Sequence, residues 1–220
     1  MSLIDPEQAQ RRFSDSLASL LPERGVPLLV ALSGGADSMA LLWLAANDRP
    51  ARVHAMTVDH GLRPEAADEA LYCGEVCARL GIPHKIAKPD RPISGNIQSE
   101  ARKARYALLG EEAERLDGAS VLTAHHGDDQ LETILMRLSR GSGVSGLAGI
   151  RSVNGNILRP LLGFTKADLI GICRAAAIEW IDDPSNANPD YDRVRMREAL
   201  ARADMRIDPA ALQRSAKALD

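Results

Sequence analysis

Short apolar runs alternate with longer segments of helical pattern along most of the chain. The runs at about 27–32, 52–58, 82–87 and 120–124 are rich in Val, Leu, Ile and Ala, which is typical of strands buried on both faces. Strands that alternate with helices usually form parallel sheets. The pattern therefore predicts an α/β fold: a Rossmann-like parallel sheet with helices on both faces, plus a short helical C-terminal extension.

Capping and turn residues mark where several elements begin. Asp5, Asn96 and Thr165 each precede a helical segment, and all three side chains are good helix N-caps. The dipeptide Asn154-Gly155 lies between two short apolar segments and predicts a β-hairpin. These local signals add a hairpin and a further helix after the fourth strand.

Composition places the chain among globular proteins. It has 220 residues, 45% of them hydrophobic, and a net charge of −3, which neither requires nor excludes a nucleic-acid partner. No apolar run approaches the roughly 18 residues of a membrane span, and the N-terminus lacks a signal-peptide pattern. The three cysteines are an odd number without a secretory signal, which favours a reducing compartment, and without a C-x-x-C pair we expect no structural zinc or iron–sulfur site. We therefore expect a cytoplasmic protein without a membrane partner.

The sharpest chemical signal is SGGADS at 33–38, between the first strand and a helix. Glycines let the backbone approach a ligand closely, and the helix start offers N–H groups to an anion. Asp37 fits a phosphate site only if a cation such as Mg²⁺ bridges it to the phosphates. An ordinary capped turn would explain the glycines and serines but not the added carboxylate. The sequence is not a Walker A loop, since Gly-Lys is absent from the chain.

A second cluster, HHGDDQLET at 125–133, follows the fourth strand. On a helix, Asp129, Glu132 and Thr133 share one face, where two carboxylates could hold a metal or an ammonium ion. A solvated helix start would explain Asp128 but not the adjacent histidines. The G-x-G-x-x-G sequence at 141–146 is not a dinucleotide site, because a helical pattern precedes it, and we expect a flexible loop near the binding edge.

Together these segments resemble a known enzyme family. SGGADS is similar to the pyrophosphate-binding loop of the N-type ATP pyrophosphatases, the PP-loop superfamily, and HHxDDQxET resembles its tRNA(Ile)-lysidine synthase branch. The segments at 58–63, 101–106, 140–143, 159–162 and 183–186 also resemble that branch and follow in its order. The resemblance covers about 27–197. It implies a PP-loop catalytic domain at 1–190 and a basic helical extension at 191–220, which could begin a linker or second domain.

The resemblance implies a ligase that forms a C–N bond. Such an enzyme uses ATP and Mg²⁺ to adenylate the wobble cytidine (C34) of a tRNA(Ile) with a CAU anticodon. L-lysine then attacks C2 of the cytidine, and the reaction releases AMP and pyrophosphate. The implied partners are that tRNA and L-lysine, and a homodimer remains open.

The resemblance also assigns roles to individual residues. The implied ATP-binding residues are Ser33, Gly34, Gly35, Asp37, Ser38, Thr57 and His60. Asp37 and Asp129 would hold Mg²⁺, and Asp129 and Glu132 would bind lysine. His125 is a candidate acceptor of the amine's proton, although His126 could take its place, and Arg105 could stabilise negative charge at the adenylated centre. The implied tRNA-binding residues are Arg193, Arg195 and Arg197.

Two departures and several alternatives accompany the resemblance. Val194 stands where the family usually has Asn, and many family members carry further C-terminal domains beyond the point where this chain stops. Another PP-loop enzyme that modifies tRNA, such as a thiolase, would be expected to use reactive or cluster-binding cysteines, and none lies in a suitable motif. PP-loop enzymes such as the NAD, GMP and asparagine synthetases would share the 33–38 loop but would be expected to lack HHxDDQxET. A non-catalytic ATP-binding module would bind ATP and Mg²⁺ without releasing pyrophosphate.

Overall fold

The computed structural model of the chain describes residues 5–91, 93–182, 195–197, 199–200 and 208–218. Its six strands form one sheet in the order β3-β2-β1-β4-β6-β5. The strands are β1 (Leu28–Ala31), β2 (Val53–Val58), β3 (His84–Ala87), β4 (Ser120–Leu122), β5 (Val153–Asn154) and β6 (Ile157–Leu158). All neighbours pair in parallel except β5 and β6, whose antiparallel hairpin extends the sheet at one edge. The predicted hairpin is confirmed, but the sheet is mixed rather than wholly parallel.

Helices connect the strands and cover both faces of the sheet. Those in the described residues are α1 (Pro6–Leu20), α2 (Ala36–Asp48), α3 (Ala66–Arg79), α4 (Ile97–Arg115), α5 (Gly127–Ser139), α6 (Gly143–Leu147), α7 (Lys166–Ala175) and α8 (Pro209–Lys217). The predicted caps are confirmed: Asp5 accepts from the backbone N–H of Gln8, and Asn96 accepts from that of Ser99. Thr165 and Asp168 form a reciprocal capping box at the start of α7.

Successive residues of β1 lie in different hydrophobic cores. Leu28 and Val30 pack with α1, α2, α3 and α7 on one face, whereas Leu29 packs with Met56 and Leu109 on the other. Because side chains alternate across a strand, a strand covered on both faces must be apolar throughout. This is the physical reason that β1 reads as an uninterrupted apolar run, and it confirms the predicted α/β architecture.

The glycine-rich stretch after α5 is partly helical, so the predicted flexible loop is wrong there. Residues 143–147 form α6, and the chain after it is held by α5. The guanidinium of Arg137 donates to the carbonyl of Gly149 at 2.8 Å, and the buried amide of Gln130 bonds both backbone groups of Ile150. The prediction rested on the helical pattern before this glycine-rich stretch, and that pattern does not reveal hydrogen bonds to residues that follow it.

The carboxyl ends of the parallel strands meet at one edge of the sheet. The 33–38 loop follows β1, residues 123–126 follow β4, and Arg159 follows β6. This edge is where open α/β sheets bind ligands, especially near the strand at which the order reverses. In this sheet, that strand is β1, which β2 and β4 flank. Within the described ranges, no helix is both long and apolar enough to cross a membrane.

Candidate active site

Gly34 gives the 33–38 loop its shape. Its φ is +86°, a conformation that favours glycine, and a Cβ there would lie 2.7 Å from Cδ1 of Ile181. The carbonyl of Gly34 accepts a hydrogen bond from the backbone N–H of Ile181 at 2.9 Å. The loop is therefore clamped between α2 and the segment that follows α7, with no room for a side chain.

The two serines of the loop are brought together but have different surroundings. Ser38 is buried, accepts from the backbone N–H of Ser33 at 3.1 Å and donates to the carbonyl of Gly35 at 3.0 Å. Ser33 is exposed. No side chain in the described residues caps the start of α2, so its first N–H groups remain for a ligand. This arrangement fits the phosphates of a nucleotide.

Asp37, in the first turn of α2, faces a cation that the sequence did not reveal. Its Oδ1 lies 2.7 Å from Nζ of Lys166, at the start of α7. The two residues are 129 positions apart, and no local pattern links them. Lys166 is therefore part of the site only because the fold brings it next to Asp37.

His126 lies among three carboxylates. Its Nε2 is 3.7 Å from Asp37 and 3.6 Å from Asp129, and its Nδ1 is 3.4 Å from Asp128. The side chain is only 6% exposed. Burial by itself lowers the pKa of His126, but the contact with Asp128 and the charges of Asp129 and Asp37 raise that pKa above its usual value. His126 is therefore the histidine that links the 33–38 loop to α5.

The two acidic residues that follow His126 also stabilise this junction. The carboxylate of Asp129 accepts from the backbone N–H of His126 at 3.1 Å, and that of Asp128 accepts from the backbone N–H of Lys166 at 2.6 Å. Burial alone would raise the pKa of Asp128, but its bonds to His126 and Lys166 lower it. The start of α5 is thereby joined to α7 through Asp128, and it contacts α2 through His126 and Asp37.

Glu132 and Arg197 form an ion pair across the site. Glu132 is 1% exposed, and its Oε1 accepts from Nε of Arg197 at 2.7 Å. A second hydrogen bond joins Nη2 to Oε2 at 3.3 Å. The hydrogen bond to Glu132 raises the pKa of Arg197. The structure thus pairs a predicted lysine-binding carboxylate with a predicted tRNA-binding arginine.

Comparison with known families decides the assignment of this site: the PP-loop domain matches residues 6–203. The chain belongs to the PP-loop family. We call the 33–38 loop the PP-loop, and its phosphate-binding role stays a prediction with which the glycine-shaped turn and the open helix start are compatible.

Curated relatives of this PP-loop chain carry the name tRNA(Ile)-lysidine synthase. The protein of that name from Zymomonas mobilis is 46% identical over 211 residues, covering 90% of this chain and 63% of its own length. The one from Rhodopseudomonas palustris is 45% identical over 208 residues, covering 90% of this chain and 58% of its own. The chain thus spans about six-tenths of the length of these relatives.

Solved structures share the PP-loop fold at low sequence identity. The U34-tRNA thiolase NcsA from Methanococcus maripaludis superposes with a TM-score of 0.77 at 16% identity, over 97% of this chain and 78% of that one. An NH3-dependent NAD synthetase from Campylobacter jejuni gives a TM-score of 0.55 at 15% identity, over 96% of this chain and 93% of that one. At these identities the similarity establishes the fold.

The residues predicted to border adenosine beside the PP-loop differ in their surroundings. The hydroxyl of Thr57 bonds Nε2 of His84 at 2.9 Å, so it is engaged inside the protein. The ring nitrogens of His60 are buried and have no hydrogen-bond partner in the described part of the chain. Burial, followed by the charge of Arg105, lowers the pKa of His60. The predicted nucleoside-bordering roles of His60 and Thr57 both stay predictions.

The remaining predicted residues lie farther from the PP-loop or outside the described ranges. His125 lines a separate pocket, and its Nδ1 is 3.1 Å from Oγ1 of Thr123. Arg195 is exposed. Arg193, Val194 and the segment at 183–186 lie outside the described residues.

Mg²⁺ binding at the PP-loop stays a prediction. Asp37 and Asp129 both face His126, and among the residues that the structure describes no three such side chains are arranged to hold a metal ion by themselves. Mg²⁺ commonly binds one or two carboxylates together with substrate phosphates, so this pair is compatible with it.

Proposed function

We propose that this chain ligates lysine to C2 of the wobble cytidine (C34) in a tRNA(Ile) with a CAU anticodon. Such a reaction consumes ATP and releases AMP and pyrophosphate. The observation that carries the proposal is that Asp37 of the PP-loop and Asp129 at the start of α5 contact the same side chain, His126, at one sheet edge. The name shared by relatives that are 45–46% identical supports the same reaction.

The first step would join cytidine to AMP. The O2 atom of the cytidine attacks the α-phosphorus of ATP, the bond between that phosphorus and the α–β bridging oxygen breaks, and pyrophosphate leaves. The open start of α2 and Ser33 would hold the phosphates, and His60 would border the nucleoside. Asp37 and Asp129 would hold Mg²⁺, which offsets negative charge on the leaving group. Arg105 would stabilise negative charge at the adenylated centre.

The second step would join cytidine to lysine. The ε-amine attacks C2, the bond from C2 to the adenylated oxygen breaks, and AMP leaves. Asp129 and Glu132 would attract the lysine, because an ammonium ion is bound best by carboxylates. The ε-ammonium group must lose one proton to become a nucleophilic amine, and His125 is our proposed acceptor of that proton. A protonated His126, which the three surrounding carboxylates favour, would be a poorer base.

A sulfur-transfer reaction is the second candidate, because the chain shares its fold with a tRNA thiolase. The described cysteines argue against it. Cys73, Cys77 and Cys173 are all buried, and burial raises the pKa of Cys77 and of Cys173 to about 12. Thiols in this state are poor nucleophiles. Their free form also supports our proposal of a cytoplasmic location.

The division at residue 190 also remains our proposal. Two described residues of the predicted extension at 191–220 contact α5: Arg197 pairs with Glu132, and Gln213 lies 3.5 Å from Gln130. Ala216 on α8 is buried. These contacts support an extension that is docked on the catalytic domain.

Incorporation of labelled lysine would test the proposed reaction. The protein is incubated with ATP, Mg²⁺, labelled L-lysine and an unmodified tRNA(Ile) transcript with a CAU anticodon, and a methionine tRNA serves as the control. We expect label only in tRNA(Ile), together with AMP and pyrophosphate. Release of AMP and pyrophosphate without label would contradict lysine as the nucleophile. ATP binding without product release would favour the non-catalytic module.

A further inference from the structure

A basic pocket lies beside the proposed active site at the same edge of the sheet. It has a volume of about 450 Å³ and is bounded by α4, α5 and the β5–β6 hairpin. Four arginines line it: Arg102, Arg137, Arg151 and Arg159. No acidic residue occurs among the described residues of its lining. In a chain with a net charge of −3, this is a local concentration of positive charge.

Arg159 gives the pocket a buried cation. The residue is only 6% exposed, and its Nη1 donates to the carbonyl of Arg151 at 2.7 Å. Its Nε is buried without a hydrogen-bond partner among the described residues. A buried charge without full pairing is costly, and an anion in the pocket would remove that cost.

The pocket wall is fixed by the protein interior. Gln130 is fully buried, and its side-chain amide bonds the N–H and the carbonyl of Ile150. Arg137 donates to the carbonyl of Gly149 at 2.8 Å. A Cβ at Gly149 would lie 2.5 Å from Oε1 of Gln130, so only glycine fits there. The wall formed by Arg137 and Gly149 is therefore held in place by bonds to the protein interior.

One arginine of the pocket lining also stacks on an aromatic ring. The guanidinium carbon of Arg102 lies 5.0 Å from the centre of the Tyr106 ring, and Arg102 is exposed. Arginine–aromatic platforms beside a basic groove are typical of proteins that bind single-stranded nucleic acid, because bases stack on them while phosphates follow the charge.

We propose that this pocket binds the backbone phosphates of the single-stranded RNA loop that carries the acceptor cytidine. The inference rests on the proposed function. The PP-loop already supplies a site for the phosphates of ATP, on the far side of β4 from the pocket. His125 lines the pocket and directly precedes His126 of the active site. A strand held by the arginines would therefore bring its nucleotide next to the ATP.

The salt dependence of RNA binding tests this inference without any chemical step. The probe is the isolated anticodon stem-loop of tRNA(Ile), bound by the full chain without ATP or lysine. Each single-stranded phosphate contact contributes about 0.7 to the slope of log K against log salt concentration. We expect Arg102→Gln to reduce the slope by about that amount. Arg102→Lys should keep most of the wild-type slope, because the positive charge remains.

Arg11→Gln provides the matched control. It removes one positive charge from α1, which packs on the opposite face of the sheet from α4. The side chain of Arg11 is 70% exposed, so the change should not disturb the fold. This variant should bind the stem-loop as the wild type does. Arg137→Gln tests a second wall position, with a thermal melt to confirm that the variant is folded.

Two outcomes would overturn the inference. One is a wild-type slope in both Arg102→Gln and Arg137→Gln. The other is a loss of ATP affinity with unchanged RNA binding, which would assign the pocket to phosphates derived from ATP. Failure of the proposed function is distinguishable, because it would appear as absent lysine incorporation by a wild-type chain whose RNA binding still depends on Arg102.

Discussion

Arg197 covers the buried carboxylate of Glu132 with two hydrogen bonds, one from Nε and one from Nη2. We expect Arg197→Ala to lower the free energy of unfolding by about 2 kcal/mol, because it leaves a buried charge unpaired. Arg197 is itself 53% exposed, so the loss should be smaller than the roughly 3–5 kcal/mol of a fully buried pair. Urea unfolding measures the difference. The double variant Arg197→Ala with Glu132→Gln should recover part of the loss, and no recovery would contradict the pairing.

His126 should make stability depend on pH. Its pKa in the folded chain is raised above the usual value of 6.5. The ion pairs of the protonated ring therefore add fully to the free energy of unfolding below about pH 6.5, and this addition is lost as the pH rises through the folded pKa. The wild type should therefore lose stability relative to His126→Gln as pH increases from 6 to 9. Unfolding free energies of both proteins across this range measure the effect. Parallel pH profiles would show that the carboxylates do not hold a proton on His126.

Gly34→Ala should disrupt the PP-loop by strain and by collision. A left-handed conformation costs a non-glycine residue about 1–2 kcal/mol, and the new Cβ would also collide with Ile181. Gly118→Ala is the control, since its φ is +77° but nothing lies within 4 Å of its Cβ position. We expect both variants to lose stability and only Gly34→Ala to lose ATP affinity, as measured by calorimetry. Equal ATP affinities would place the nucleotide elsewhere.

Asp37→Asn should abolish pyrophosphate release while leaving the fold intact. The side chain is 29% exposed and its ion pair with Lys166 is accessible to water, so the stability change should stay below about 1 kcal/mol. The matched variant is Asp68→Asn, which removes an exposed carboxylate from the first turn of α3. It should release pyrophosphate at the wild-type rate. Full turnover by Asp37→Asn would remove Asp37 from the proposed chemistry.

Most of the fold could be predicted because its signals are local. β1 is apolar throughout because both of its faces are buried, and Asp5, Asn96 and Thr165 cap helices through bonds to residues three positions away. α6 was not predicted, because a glycine-rich segment favours a loop and the bonds that hold the chain after it appear only in the structure.

The candidate site was predictable wherever its residues lie in one motif. The 33–38 loop and the start of α5 each contain several polar residues after a buried strand, which is a local pattern. Lys166 belongs to neither segment and meets Asp37 only in three dimensions. The pocket arginines come from separate segments, on α4, α5 and the β5–β6 hairpin, so their convergence also required the structure.

The hydrogen bond from Ile181 to Gly34 bears on how the protein matures on the ribosome. The first strand and α2 are synthesised early, but the clamp on their connecting loop comes from a residue almost 150 positions later. A nascent chain that ends before residue 181 would lack this clamp, even with β1, β2 and β4 already paired. ATP capture during translation should therefore begin late and abruptly, once the segment after α7 has left the exit tunnel.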